Sequence, residues 1–390
     1  MSAPRDRHPA ETAAHATGRP VRILVVGCGD LSTRVLHGLT ATGQARHLGL
    51  LGRDAEAVVR TANMVSLAAT QLGRSCPVDP FVRDLDDIAG TAEAISAFAP
   101  DVIFTAASRQ SWYVISELPT EHYARVSAAH FGPWLPMHLD PVLKLMRAVR
   151  ASGTDAVVVN AAYPDAVHPA LAGAGLSPDL GIGNVANSVP ALRTIAAREL
   201  GCAPQEVQPR FVAHHFVGHR LSRAGDSGGA AYDLSFWRDE EDVTGRLDTD
   251  EVFRAMRTDY RRIGGREGQL MTAASALGVL ESLATGADVT AHVPGWHGLP
   301  GGYPVRMTAG GSRLDLPPGL SERAAVEINR DGQRHDGIAA IADDGLVEFT
   351  DESVQIMRDE LGYTCKELAL ADVEEAATEL TARYAACVSR

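Results

Sequence analysis

Two short stretches hold the residues best suited to chemistry. Gly27-Cys28-Gly29-Asp30-Leu31-Ser32 follows the apolar run Arg22–Val26 and leads into helical spacing from Leu31 to Leu39. The first glycine permits a tight turn. The second has no Cβ, so a phosphate can approach the backbone, and the helix start adds unpaired N–H groups and positive partial charge. Ser32 stands where the usual fingerprint has a third glycine. The order strand, glycines, helix predicts a dinucleotide-phosphate loop of Gly27, Gly29, Asp30, Leu31 and Ser32. The alternative is a plain strand–turn–helix with no ligand. The second stretch is Arg210-Phe-Val-Ala-His214-His215-Phe-Val-Gly-His219. Imidazoles exchange protons near neutral pH or ligate metals. Read as one strand over Arg210–Phe216, it sends His214 and His215 to opposite faces. No helix is expected there to align the three histidines on a metal, and no metal site is assigned.

Between these stretches, Asn160 ends the apolar run Asp155–Asn160. Its amide donates and accepts, which suits a nicotinamide amide or a substrate hydroxyl. Gly181-Ile-Gly-Asn184-Val-Ala-Asn187 follows, and with His214 its two asparagines are expected to meet substrate. The end of the second strand selects the cofactor. An acidic residue there binds the ribose hydroxyls of NAD, and an arginine accommodates the 2′-phosphate of NADP. Gly52-Arg53-Asp54 stands at that point. Arg53 leans toward NADP, and Asp54 keeps NAD open if the register is one residue later. Ala106, after the strand Val102–Thr105, belongs to the same cofactor wall. Arg109, in the next loop, is expected to clamp an anionic substrate. The loop also holds Trp112, Tyr113, His122 and Tyr123. His130, Trp134 and His138 follow, with either a pocket or a core role.

These residues need a frame. Apolar runs at Arg22–Gly27, His47–Leu51, Phe81–Val82, Val102–Thr105 and Asp155–Asn160 alternate with helical patterns, among them Asp86–Phe98 and Pro136–Arg150. That alternation predicts an α/β fold, a Rossmann-type doubly wound parallel sheet. The pattern changes after Asn160. Asn187–Leu200 reads as a helix, Arg223–Gly245 as a mobile loop or lid, and Gln269–Ala284 as a long buried helix. Asp372–Ala386 reads as a terminal helix. The expected division is a disordered tail over 1–20, a dinucleotide-binding domain over 21–165 and an α+β substrate domain over 166–390.

Composition narrows the function classes. The chain has 390 residues, 45% hydrophobic and 22% charged, which is a globular composition. Its 36 basic and 49 acidic residues leave a net charge of −13, which argues against a general nucleic-acid binder. No apolar run approaches the roughly 20 residues that a membrane helix needs. The five cysteines are scattered and contain no CxxC pair, so neither a disulfide framework nor a cysteine zinc site is expected. These features predict a soluble cytoplasmic protein.

The whole arrangement resembles the superfamily of lactate and malate dehydrogenases and NAD-dependent family-four glycosidases. The glycosidase branch has an Asn-x-x-Asn-Pro segment similar to Asn160-Ala-Ala-Tyr163-Pro164. Its Gly-Leu-Cys-Asn segment is similar to Gly181-Ile-Gly-Asn184, and its Leu-Asn-His segment to Ala213-His214-His215. Gly264-Gly265 and His297-Gly-Leu-Pro300 resemble its C-terminal domain. The departures are specific. Gly183 takes the place of a metal-binding cysteine, and Leu270 or Met271 that of a catalytic tyrosine. Asn187 and Pro190 fall where the dehydrogenase branch has its aspartate and arginine.

The resemblance implies a nicotinamide cofactor, and it implies that His215 is the acid/base of a hydride transfer. The resulting expectation is an NAD(P)-dependent dehydrogenase or reductase. It would act at a secondary alcohol or carbonyl of a small polar substrate: sugar-like, polyol or hydroxy acid. Asn160 would position that substrate, and the chain would assemble as a homo-oligomer. Two rivals stay open. One is a transient-redox enzyme that keeps NAD bound, such as an epimerase, a lyase or a glycosidase-like enzyme. The other is a non-catalytic dinucleotide sensor.

Overall fold

The computed structural model describes residues 19–42 and 46–388. The expected tail lies, up to residue 18, outside the described residues. Arg19, at the edge, forms a two-pronged ion pair with Asp101.

The first half alternates as its apolar periodicity requires. The elements are β1 (Val21–Val26), α1 (Asp30–Ala41), β2 (Arg46–Gly52), α2 (Ala55–Gln71), β3 (Val78–Val82), α3 (Ile88–Phe98) and β4 (Val102–Thr105). Then come α4 (Thr120–Ser127), α5 (Leu135–Ser152), β5 (Val157–Asn160), α6 (Pro164–Ala172) and β6 (Leu180–Gly181). The six strands form one parallel sheet in the order β3-β2-β1-β4-β5-β6. Its central strands β1, β4 and β5 are apolar runs because helices cover both faces, whereas the edge strand β3 carries Asp79 and Pro80 and is part exposed. The strand order reverses between β1 and β4, and ligands bind such sheets at the carboxyl edge beside that point. Register places Val26 beside Thr105, Thr105 beside Asn160, and Asn160 beside Gly181. The segments leaving these strands therefore meet at one edge.

The second half comprises α7 (Val189–Leu200), β7 (Gln208–Val212), α8 (His215–Arg223), β8 (Asp233–Arg238), β9 (Glu241–Asp242), α9 (Thr249–Thr258) and α10 (Gln269–Thr285). It continues with β10 (Val289–Pro294), β11 (Gly302–Thr308), β12 (Gly311–Leu314), α11 (Glu322–His335), β13 (Ile338–Ile341) and β14 (Val347–Phe349). It ends with α12 (Asp351–Leu361), β15 (Glu367–Leu368) and α13 (Val373–Val388). Small antiparallel sheets, β7-β8-β9, β10-β11-β12 and β13-β14-β15, make this an α+β layer.

Several expectations need correction. The strand expected over Arg210–Phe216 stops at Val212, and a helix starts at His215. His214 caps that helix, its Nδ1 accepting from Phe216 N at 3.3 Å. Side-chain capping overrode the β pattern. The expected lid over Arg223–Gly245 contains β8 and β9. Phe236 is fully buried, and Leu234 packs on the same cluster. Their alternation on one face seats the hairpin against β7. The helix α10 buries one face only. It packs on α1 where Gly38, lacking a Cβ, leaves room for the Leu277 side chain, whereas Leu270 is 63% exposed. The division at 165 is crossed twice. The sheet takes β6 from beyond it, and α13 packs back on α5 through a core that both halves share. None of the five cysteines is in a disulfide, and no helix among the described residues is long and apolar enough to cross a membrane.

Candidate active site

The glycine loop has the shape its sequence requires. Gly27 sits at φ +100°, and a Cβ there would meet the Ala107 backbone at 3.1 Å. Gly29 caps α1 without a side-chain hydrogen bond, and nothing lies within 4 Å of where its Cβ would be. The helix thus offers bare N–H groups to open space. Ser32 is fully buried, and its Oγ has no hydrogen-bond partner. Asp30 is neutralised twice, by Arg34 Nε at 2.6 Å and Arg266 Nε at 3.1 Å. Burial opposes its charge, but the two guanidiniums win and hold its carboxyl below the usual range. Two arginines against one carboxylate leave the loop with a net positive charge. These features fit the phosphates of a dinucleotide.

A cavity of about 400 Å³ starts at Gly29, Asp30, Leu31 and Ser32 and passes Ala106. It continues past Asn184 and Asn187 to His215 and Asp336. At this end, His215 Nδ1 donates to Asp336 Oδ2 at 3.1 Å. Asp336 follows α11 and is buried. Tyr163 Oη also donates to Asp336 Oδ2, at 2.7 Å. Asp165 accepts from the His215 backbone N–H at 2.8 Å and from the Asn184 amide. Burial disfavours the His215 imidazolium, but the charges of Asp336 and Asp165 outweigh it and raise the ring above its ordinary value. Burial likewise opposes the Asp336 carboxylate, yet His215 beside it brings Asp336 down to about 2. Each partner therefore favours the charged form of the other. His219 stacks on His215 with centroids 6.0 Å apart. Among the described residues no group of three or more His, Cys, Asp or Glu side chains is placed to hold a metal ion.

Six of the expected residues, Asn160, Arg109, His214, Gly27, Arg53 and Asp54, do not line the cavity. Asn160 is fully buried, and its amide is spent within the protein. Its Oδ1 accepts from Ala162 N at 2.8 Å, and its Nδ2 donates to Ala162 O and to His168 Nε2. It shapes the turn after β5 and does not line the cavity. Arg109 is drawn away to Asp140, with Nε–Oδ2 at 2.7 Å, and to Thr378 Oγ1 at 3.2 Å. Ser108, Ser111 and Trp112 of the same loop do line the cavity. His214 is fully buried as the cap of α8. At the other end, Gly27 shapes the loop from behind. Arg53 is exposed past β2. Asp54 caps α2, its Oδ1 accepting from Ala57 N at 2.9 Å.

Sequence reading missed Asp336, Tyr163 and Asp165 as site residues. Tyr163 and Asp165 flank Pro164 beside the quoted Asn160 stretch, and Tyr163 takes φ +43° there. The signal was present in that segment. Asp336 is 121 residues from His215, and nothing local marks it.

No protein-family model matches the sequence, and neither does any curated protein. Solved structures do match. The malate dehydrogenase from Aeropyrum pernix is similar over 80% of this chain and 97% of its own, at 15% identity and a TM-score of 0.54. The lactate dehydrogenase of Eimeria maxima, solved with NADH and oxamate, is similar over 80% and 91%, at 13% identity and a TM-score of 0.52. That of Cryptosporidium parvum, solved with lactic acid and nicotinamide adenine dinucleotide, covers 82% and 96%, at 15% identity and a TM-score of 0.51. Sheet order, paired halves and these superpositions agree: the chain has the fold of the lactate and malate dehydrogenases, in a divergent sequence.

Proposed function

We propose that the protein is an NAD(P)-dependent oxidoreductase acting at a secondary alcohol or carbonyl of a small polar substrate. The observation that carries this reading is the His215–Asp336 ion pair at one end of a cavity whose other end is the glycine loop. When bound, the nicotinamide supplies or accepts the hydride. The phosphates would be held by the start of α1 and by Ser32. Asp54 is occupied as a cap and Arg53 is exposed, which supports a preference for NADP.

The protein's own part is proton management. Asp336 holds His215 Nδ1, so Nε2 is the nitrogen left to exchange a proton with substrate. In carbonyl reduction the imidazolium gives that proton to the carbonyl oxygen. In alcohol oxidation the neutral ring takes it from the hydroxyl. Tyr163 donates to the same Asp336 oxygen as His215 and so helps to fix the ring. We further propose a homo-oligomer. The helix α2 exposes Val59, Met64 and Leu67, followed by exposed Leu72, an apolar stripe suited to a second copy.

The test is a screen of carbonyl compounds and alcohols that follows nicotinamide absorbance, with His215→Gln beside the wild type. Turnover by the wild type is expected. The variant should lose about 10²- to 10⁴-fold in kcat with cofactor affinity unchanged. Equal turnover by both proteins would remove His215 from the chemistry.

A further inference from the structure

His138 is a second imidazole in the wall of this cavity, and the mechanism above gives it no task. It stands near the start of α5, is only 6% exposed, and lines the same space as His215. Its ring lies against Phe131 and Tyr163, with centroids 5.1 and 6.3 Å away. The same two rings flank His215 at 5.4 and 5.8 Å. The Nδ1 of His138 is buried and has no hydrogen-bond partner. A buried N–H without an acceptor is rarer and costlier than an unmatched lone pair. The ring therefore leaves Nδ1 bare and carries its proton on Nε2. Burial, helped by the charge of His215, keeps it neutral down to about 4.

We infer that His138 is a second substrate-binding residue, its Nε2–H donating to an oxygen on the carbon next to the one that gains or loses hydride. The inference rests on the oxidoreductase reading and narrows it. The two imidazoles share their aromatic neighbours, so one small molecule can meet both. His215 takes the reacting oxygen and exchanges the proton. His138 keeps its proton throughout and senses the neighbouring oxygen. The substrates it selects carry oxygens on adjacent carbons, as ketols, 1,2-dicarbonyls and vicinal diols do. A simple ketone leaves the His138 donor unmatched and is selected against.

The test uses the full chain with ¹⁵N-labelled histidine and oxidised cofactor, where ketones bind without turnover. It is titrated with butane-2,3-dione and with butan-2-one, which have the same chain length and differ in the neighbouring oxygen. The wild type should show His138 as the neutral Nε2–H tautomer at pH 6. The dione should shift that signal at a concentration at least about tenfold lower than the ketone needs. His138→Phe should erase the preference, and His138→Gln, which retains an N–H, should restore part of it. An Nδ1–H tautomer, an imidazolium at pH 6, or equal concentrations for the two probes would overturn the inference. Failure of the oxidoreductase reading shows separately, as no cofactor binding. The same titration without cofactor then still decides the role of His138.

Discussion

His215 and Asp336 make a charged pair whose pH behaviour follows from its surroundings. His215 titrates above its ordinary 6.5, and Asp336 titrates near 2, below its ordinary 3.8. Carbonyl reduction needs the imidazolium, so it should persist above pH 6.5 and fall as pH rises through the raised value. Alcohol oxidation needs the neutral ring and should rise over the same range. Asp336→Asn removes the charge that lifts His215, so both limbs should move to lower pH. Rate profiles in the two directions, compared with the wild type, check this. The pair also stabilises the fold between the ordinary values of its two members. That contribution fades as pH falls toward 2 and as pH rises through the raised His215 value. Unfolding midpoints of Asp336→Asn and wild type should therefore converge at both extremes. Profiles that do not move would mean that Asp336 does not set the proton affinity of His215. Of this residue-scale picture, His215 and the glycines were legible in the sequence because each sits in a short motif. Asn160 and Arg109 misled because a sequence names a side chain's capability, not its partner. Ala162 and His168 occupy the Asn160 amide, and Asp140 and Thr378 hold Arg109.

At the scale of elements, the loop after β4 is pinned instead of hinged. Arg109 ties it to Asp140 on α5, and Asp140 also meets Lys144 Nζ at 3.1 Å. Lys144 reaches Asp86 and Glu374, the latter on α13. Lys144 and Asp140 are 7% and 5% exposed, so the network is screened little at its centre. Lys144→Met would leave Asp140 buried with Arg109 alone and should cost about 3 kcal/mol. Denaturant unfolding measures this, and a loss within about 0.5 kcal/mol would show that the network holds nothing. The start of α1 gives a second expectation. A Cβ at Gly29 meets no protein atom, so Gly29→Val should fold as the wild type does yet fill the phosphate approach. Its affinity for the reduced cofactor should fall at least about tenfold. The strands β1, β2, β4 and β5 were legible because each carries a buried apolar run closed by turn residues, whereas only the end of part-exposed β3 was read and two-residue β6 was not. The β8 hairpin and the α8 start were not. The hairpin depends on a tertiary contact, Phe236 reaching the inner cluster, and the α8 start on a local one, His214 capping its own helix against the β pattern of the segment.

The whole molecule is held together across the boundary that composition suggested. Its last helix covers α5, and its long apolar helix α10 covers α1, so the cavity between the halves has walls from both. Sequence pattern gives the halves but not their docking, because the docking contacts join residues hundreds of positions apart. The exposed stripe on α2 belongs to this scale as well. Sedimentation should give at least twice the monomer mass, and Leu67→Glu should return the monomer. A wild type that stays monomeric at micromolar concentration would leave that stripe without the proposed role.

The central claim is that one cavity brings a nicotinamide cofactor to His215. Trp112 and Trp134 line that cavity, so their emission should transfer to a reduced nicotinamide bound there. The decisive measurement is the quenching of tryptophan emission on titration with NADPH and NADH. Wild type, Gly29→Val and His215→Gln are compared. The account predicts saturable quenching in the wild type, tighter for NADPH, retained in His215→Gln and weakened at least tenfold in Gly29→Val. Absence of quenching in the wild type, or equal quenching in Gly29→Val, would contradict it.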